Sequence, residues 1–229
     1  MTSRVATIAA LVCLAASGCA STTAGTAMPA GNAPLTTAES LPTLLLPAAE
    51  VGAAMSGADL VVTREVTAPW DDGARLAEGA GCLAVAGAAQ RSVYADSGWT
   101  ALHGQILREP PASQWSHFAT QVVVLFPTAE AAGDFFARSR DLWAGCADRE
   151  LTYPQQLAPE QLWSIGPAAV DDDVLALTRT QRSPERWSCQ RALRVHRNVA
   201  VDVEACDLDG PTSAAAAIAA TIAGRLPTA

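Results

Sequence analysis

Lysine is absent from this 229-residue sequence, and all 15 basic residues are arginine. That excludes Schiff-base catalysis and the phosphate-cradling lysine of a P-loop. Charge of any kind is scarce. Charged residues make up 17% of the chain, below the usual quarter, and 23 acids against 15 bases leave a net charge of −8. An acidic chain without basic clusters is a poor partner for nucleic acid, whose affinity comes from neutralised phosphates. Beyond the N-terminus no long apolar run occurs, which excludes a polytopic membrane protein. A hydrophobic content of 50% equally excludes a disordered chain. No G-x-S-x-G, H-E-x-x-H, G-x-G-x-x-G or C-x-x-C is present. Tyrosine is limited to two residues, whereas tryptophan reaches six.

What is present begins with an export signal. One arginine at position 4 precedes an apolar run over residues 5–17, VATIAALVCLAAS. Thirteen residues are too few for a span of about 20, so residues 1–18 read as a signal peptide. The run ends in Ala16-Ser17-Gly18-Cys19, which resembles a bacterial lipobox. The resemblance implies diacylation of Cys19 and attachment to the outer face of the cell membrane. Residues 19–39, rich in Ser, Thr, Ala, Gly and Pro, read as a flexible tether. A membrane contact through the lipid anchor is therefore one expected partnership.

Cys13 leaves with the signal and Cys19 takes lipid, so Cys82, Cys146, Cys189 and Cys206 remain. Four cysteines in an exported domain imply two bridges and allow three connectivities. Residues 187–206 hold two β-rich runs around Arg197-Asn198. With those two as the turn, Cys189 faces Cys206 at a non-hydrogen-bonded position, where Cα atoms lie closest. The same register puts Val199, Val201 and Val203 on a face with Arg194 and His196, away from Leu193 and Val195. A three-residue loop or a bulge would realign the apolar residues, so the register is open by one. Cys82–Cys146 follows by elimination. A zinc site lacks the spacing it needs, and no metal or cofactor is expected.

The mature chain reads as helix, strands, helix, hairpin, helix. Pro47 opens a helix that Gly57 stops. Strands are expected over 59–67, 99–108, 117–126 and 174–180, with 117–126 the interior one. A short helix over 81–91 carries Cys82. Thr128 caps a helix running to Cys146, with apolar residues at Ala132, Phe135, Phe136, Leu142 and Trp143. Residues 212–225 form an Ala/Ile helix. The order indicates an α+β fold: an antiparallel sheet packed by helices in one disulfide-stapled domain over 40–229.

Chemistry is sparse. His103, His117 and His196 are scattered, and Asp171-Asp172-Asp173 lacks the spacing of a calcium loop. A noncontiguous triad of Ser116 or Ser164 with His103 and an aspartate would be recognised by geometry alone. Trp143 belongs to a core-facing helix, while Trp99 and Trp163, near Gly, Ser and Pro, are the candidates to line a ligand cleft.

Several segments together resemble the PknH-like extracellular sensor domain of mycobacteria and their relatives. They are LLPAAEVGAAMSGADL, Cys82 with SVYADSGWTALHGQ, QVVVLFPTAEAAGDFFARSRDLWAGC and WSCQRALRVHRNVAVDVEAC. The resemblance spans roughly residues 40–227. It implies two disulfides in the order above, a mixed α/β fold, and a cleft for an unidentified ligand. Two function classes follow. One is a non-enzymatic, surface-anchored module binding a small molecule, lipid or glycan of the envelope. The other is an envelope module that docks a protein and has no ligand pocket. A hydrolase is a distant third.

Overall fold

The computed structural model describes residues 35–70, 80–110, 115–153, 160–182, 186–208, 210 and 212–227. All lie in one compact unit, Ala33–Ala229. The expected lipidation residue Cys19 lies outside the described residues.

The fold is built on the hairpin of β8 (Trp187–His196) and β9 (Val199–Leu208). Arg197, with φ +55°, and Asn198 make its two-residue turn, and Cys189 stands opposite Cys206. The register therefore keeps Val199, Val201 and Val203 away from Leu193 and Val195, with no bulge to realign them. The reason is that both faces of the hairpin are covered. The valines pack under α6 (Ala214–Gly224), and the other face carries its own core and its own charge pairs. Realignment is needed only when one face meets water.

On one side of the hairpin come β3 (His117–Leu125), β2 (Ala101–Arg108) and the edge strand β1 (Val61–Val66). On the other come β7 (Val174–Gln181), β5 (Gln161–Ile165) and β4 (Glu150–Tyr153). The order is β1-β2-β3-β9-β8-β7-β5-β4, antiparallel throughout, with β6 (Ala169–Asp171) beside β7. The α+β architecture read from the sequence is thus observed. Strands β4, β5 and β6 were not anticipated. β4 and β5 are short, and they flank a Pro- and Gln-rich stretch that masks their alternation. The β6–β7 turn is Asp172-Asp173, both at positive φ (44° and 63°), so the aspartate run makes a tight hairpin turn.

One face of the sheet takes α6 together with α1 (Leu41–Leu44) and α2 (Ala48–Ala54). Its core is apolar: Leu41, Val51, Leu107, Val123, Val201, Ile218 and Ile222 are all almost wholly excluded from solvent. Gly57 stops α2 with φ +86°, its amide donating to the carbonyl of Gly52. The fold also starts earlier than residue 40. Thr36, assigned above to the tether, exchanges two hydrogen bonds with the Asn198 side chain, at 3.1 and 3.0 Å.

The opposite face takes α5 (Ala129–Ala144), α3 (Leu83–Ala86) and α4 (Arg91–Tyr94). Thr128 caps α5 as expected, accepting from the amide of Ala131 at 3.1 Å. Ala132, Phe135, Ser139 and Trp143 form its buried stripe, and Leu142 lies on the exposed side. Both disulfides are on this face. Cys82–Cys146 joins the start of α3 to the end of α5, and Cys189–Cys206 crosses the hairpin with its Cα atoms 4.0 Å apart. The single helix expected over 81–91 is broken in two, for a reason that belongs to the site below.

Candidate functional site

Strands β7, β8 and β9 each place charge on the α5 face. Arg191 and Asp202 form an ion pair at 2.8 Å, and Arg179 and Glu204 form a second. All four are at least nine-tenths buried. Burial of charge is costly unless each group is paired and hydrogen-bonded, and here the partners are numerous. The Arg191 guanidinium also donates to the carbonyls of Val203 (2.9 Å) and Ala84 (3.3 Å) and lies 5.3 Å from the Trp143 ring. Arg179 lies 4.5 Å from the Trp163 ring. Burial alone would lower the Arg179 pKa. The charge of Glu204 and a contact with Tyr153 outweigh it, and the guanidinium is held charged above its ordinary range.

Asp202 is the organiser. Its Oδ2 accepts from the amide of Ala89 at 2.8 Å and from the Tyr94 hydroxyl at 2.9 Å. Burial, then the charge of Asp202, push the Tyr94 pKa well up, so the phenol stays a donor. To deliver its amide, Ala89 adopts φ +51°, a left-handed conformation costly for alanine. This capture, with the extended Gly87 between, splits the expected helix into α3 and α4. A Cβ at Gly87 would stand 3.1 Å from the Gln90 amide nitrogen and 3.6 Å from Glu204, so the chain passes close above the charges. The network pins residues 80–94 to the sheet, with the Nε atoms of Arg179 and Arg191 left buried without a hydrogen-bond partner.

At the end of the same face where β2 gives way to β3 the character changes. Trp115 lies 4.9 Å from Trp187 and 5.8 Å from Phe118, centroid to centroid, with both pairs tilted. The Arg108 guanidinium sits over Trp115 at 5.0 Å and over Phe118 at 5.4 Å. All four side chains are partly exposed. Arg108 and Phe118 are cross-strand partners. Phe118 in turn faces Cys206, so the cluster borders the Cys189–Cys206 bridge. This is a partly exposed aromatic cluster on the face, and rings beside a guanidinium suit a ligand with both flat and polar parts.

The residues singled out from sequence fall as follows. The four cysteines pair as expected. Trp99 and Trp163 do not share a cleft. Trp99 precedes Thr100, whose amide bonds to Leu125 at one end of β3. Trp163 pairs with Gln181, beyond the row of Thr180, Ser188, Asp207 and His117 at the other end. The length of β3 separates them, and Trp163 is buried against Arg179. The nearby rings that do converge, Trp115, Phe118 and Trp187, gave no sequence signal, because antiparallel pairing joins them across about 70 positions of chain.

The histidines also find partners. His103 Nε2 lies 3.1 Å from Glu65, and His117 Nδ1 lies 2.8 Å from Glu109 with Asp207 3.8 Å from its other nitrogen. His196 meets the carbonyl of Pro227 at 3.2 Å. Ser116 and His103 stand at opposite ends of the β2–β3 ladder, and Ser164 on β5 bonds Arg182, so the conceivable triad is not assembled. Cys189, Glu204 and Cys206 place ligand-type atoms within 4.8 Å of one another. The two sulfurs are joined to each other, which removes the thiolates a metal would require.

Comparison with known proteins gives this geometry its context. The family profile of the PknH-like extracellular domain matches residues 36–225. The chain is 34% identical over 188 residues to serine/threonine-protein kinase PknH of Mycobacterium bovis, covering 82% of this chain and 31% of that one. It is 34% identical over 168 residues to PknH of Mycobacterium tuberculosis H37Rv, covering 73% and 26%. It thus spans between about a quarter and a third of the length of these relatives. The crystal structure of the extracellular domain of PknH from M. tuberculosis superposes with a TM-score of 0.72 at 31% identity, covering 84% of this chain and 97% of that one. The likeness therefore falls on the extracellular, non-catalytic part of the kinases. On profile, identity and fold together, the chain belongs to the PknH-like extracellular domain family.

Proposed function

We propose that this protein is a lipoprotein held at the outer face of the cell membrane through Cys19, whose PknH-like sensor domain binds a ligand of the envelope. The ligand class is a small molecule, lipid or glycan. The observation that carries the reading is the partly exposed Trp115–Phe118–Trp187 cluster beside Arg108. Trp70, Trp99, Phe136 and Tyr153 are partly exposed as well, but here three partly exposed rings converge beside a guanidinium. The lipobox-like Ala16-Ser17-Gly18-Cys19 supports anchoring, and no described helix is long and apolar enough to cross a membrane.

The chain acts as a binder and not as a catalyst in this reading. Each histidine is engaged by a carboxylate or a carbonyl, and none of the described serines named above stands with one as a nucleophile–base pair. Docking of a protein partner has one observation in its favour. The edge strand β1 exposes Val61 and Val62. Against strand addition stand a register shift between Val62 and Arg64 and the charges of Arg64 and Glu65.

Two measurements test the proposal. Cys19→Ala should release the protein from membranes, and full retention of that variant would reject lipidation. Native mass spectrometry of protein purified from its own host should show a co-purified mass that Trp187→Ala loses. Turnover of generic esterase, peptidase, glycosidase or phosphatase substrates, abolished by His117→Ala, would make the protein an enzyme and defeat the reading.

A further inference from the structure

The aromatic end also narrows the chemistry of what binds there. Arg179, Arg191, Arg182, Arg140 and Arg225 each have a carboxylate within ion-pair distance. Arg108, like Arg64, Arg138 and Arg194, has none among the described residues. Its neighbour in sequence, Glu109, is fully engaged: it accepts from the amides of Ser116 (2.6 Å) and His117 (3.1 Å) and meets the His117 ring. The Arg108 guanidinium is instead laid over two rings; its Nε, like those of Arg179, Arg191 and Arg194, is buried without a hydrogen-bond partner, so it is the ring contacts at a partly exposed position that set Arg108 apart. Stacking uses the faces of a guanidinium and leaves in-plane N–H donors for an oxyanion. In a chain of net charge −8, a cation fixed this way without an internal counter-charge is arranged for an external one.

The rings add the second half. Trp115 and Trp187 are tilted by 48°, so they form no parallel slot for an aromatic base. They present separate, partly exposed faces, which suit the C–H face of a sugar ring. We infer that the Arg108–Trp115–Phe118–Trp187 end receives an acidic saccharide, its carboxylate or phosphate on Arg108 and a sugar ring against the tryptophans. The inference rests on the ligand-binding reading above and specifies its ligand. Such a group can come from a soluble or wall glycan or from the headgroup of an inositol lipid.

The test uses the purified full-length chain with trigalacturonate, with neutral maltotriose, and with phosphatidylcholine vesicles with and without phosphatidylinositol. Binding is read by tryptophan fluorescence and by the indole N–H signals in NMR spectra. Trigalacturonate, or the inositol-lipid vesicles, should bind at least tenfold more tightly than the neutral counterpart, weaken with salt, and shift the Trp115 and Trp187 indoles. Arg108→Gln should weaken that binding at least tenfold with the melting temperature unchanged. If this variant fails to fold, the indole shifts in the wild-type chain decide. A response to trigalacturonate identifies a glycan source, and a response to vesicles alone identifies a headgroup. Equal binding of acidic and neutral probes overturns the inference and leaves the ligand-binding reading standing. No binding of any probe, or shifts confined to other tryptophans, also overturns it. The co-purified mass then judges the broader reading separately.

Discussion

The two faces of the central hairpin are assembled on different principles. Under α6 the buried core is aliphatic: Val199, Val201 and Val203 meet Ile218 and Ile222, with no buried ion pair and no cross-link among the described residues. Under α3, α4 and α5 the same strands carry Arg191, Asp202 and Glu204, and that face has both disulfides. Burial of aliphatic surface is non-directional and tolerates small changes. Buried charge is unforgiving, because removal of one partner strands the other. The staples are on the face whose packing depends on direction. The ion pairs place residues 80–94 at one geometry, and the bridges hold the segments that carry them.

The sharpest way to break this contrast is at Asp202. Asp202→Ala leaves Arg191 buried without its carboxylate and frees the Ala89 amide and the Tyr94 hydroxyl. A loss of about 3–5 kcal/mol is expected, measured by urea unfolding. Arg191→Met combined with Asp202→Leu should recover much of it. If the single variant does not fold, the stability of the double variant carries the test.

Loss of one staple comes next. Cys189→Ala with Cys206→Ala opens a loop with a sequence separation of 17 and should cost about 3 kcal/mol as an upper value. At about 2–4 °C per kcal/mol for a domain of this size, the melting temperature falls by roughly ten degrees. Thiol titration of the untreated protein should find Cys82 and Cys146 unreactive.

On the aliphatic face, Ile218→Val should cost only about 1 kcal/mol, although Ile218 is completely buried. A loss comparable to that of Asp202→Ala would erase the distinction between the faces.

The smallest effect is a pH dependence at the Glu109–His117–Asp207 clasp. Burial works to raise the Glu109 pKa, but the Ser116 amide and the His117 ring and amide outweigh it and hold the carboxyl below its usual range. Glu109 therefore stabilises the fold above the ordinary carboxylate value, about 4.3, and the contribution is lost as pH falls through its lowered value. Asp207 runs the other way. Burial raises its pKa, so its protonation favours the folded state as pH falls. Glu109→Gln should flatten the acid limb of stability against pH, and Asp207→Asn should steepen it, both read from unfolding midpoints at pH 3–6.

Much of the scaffold was legible because it follows local rules. Thr128 announces α5, the Arg197-Asn198 turn sets the hairpin register, and that register pairs Cys189 with Cys206. The aliphatic face was legible too, since alternating valines and an Ala/Ile helix need no partner identity. The charged face was not. Arg191 and Asp202 look like solvated strand residues until α3 and α4 are laid over them, and nothing local to Ala89 marks it for a left-handed conformation. That Trp99 and Trp163 stand apart has the same cause. Trp99 and Trp163 lie near loop-forming residues, yet rings converge where strands meet, and it was Trp115, Phe118 and Trp187 that met.

The pair of hydrogen bonds between Thr36 and the Asn198 side chain has a mechanical consequence. The Asn198 side chain also donates to the carbonyl of Phe126, and the Asn198 backbone carbonyl accepts from the Phe126 amide. Tension on the chain ahead of Thr36 is thus delivered to the turn joining β8 and β9 and to the end of β3. Those three strands share the longest ladders of the sheet, nine and ten residue pairs. The load enters the most heavily cross-bonded part of the molecule, at the end of β3 opposite Trp115, so the aromatic end is mechanically the free end.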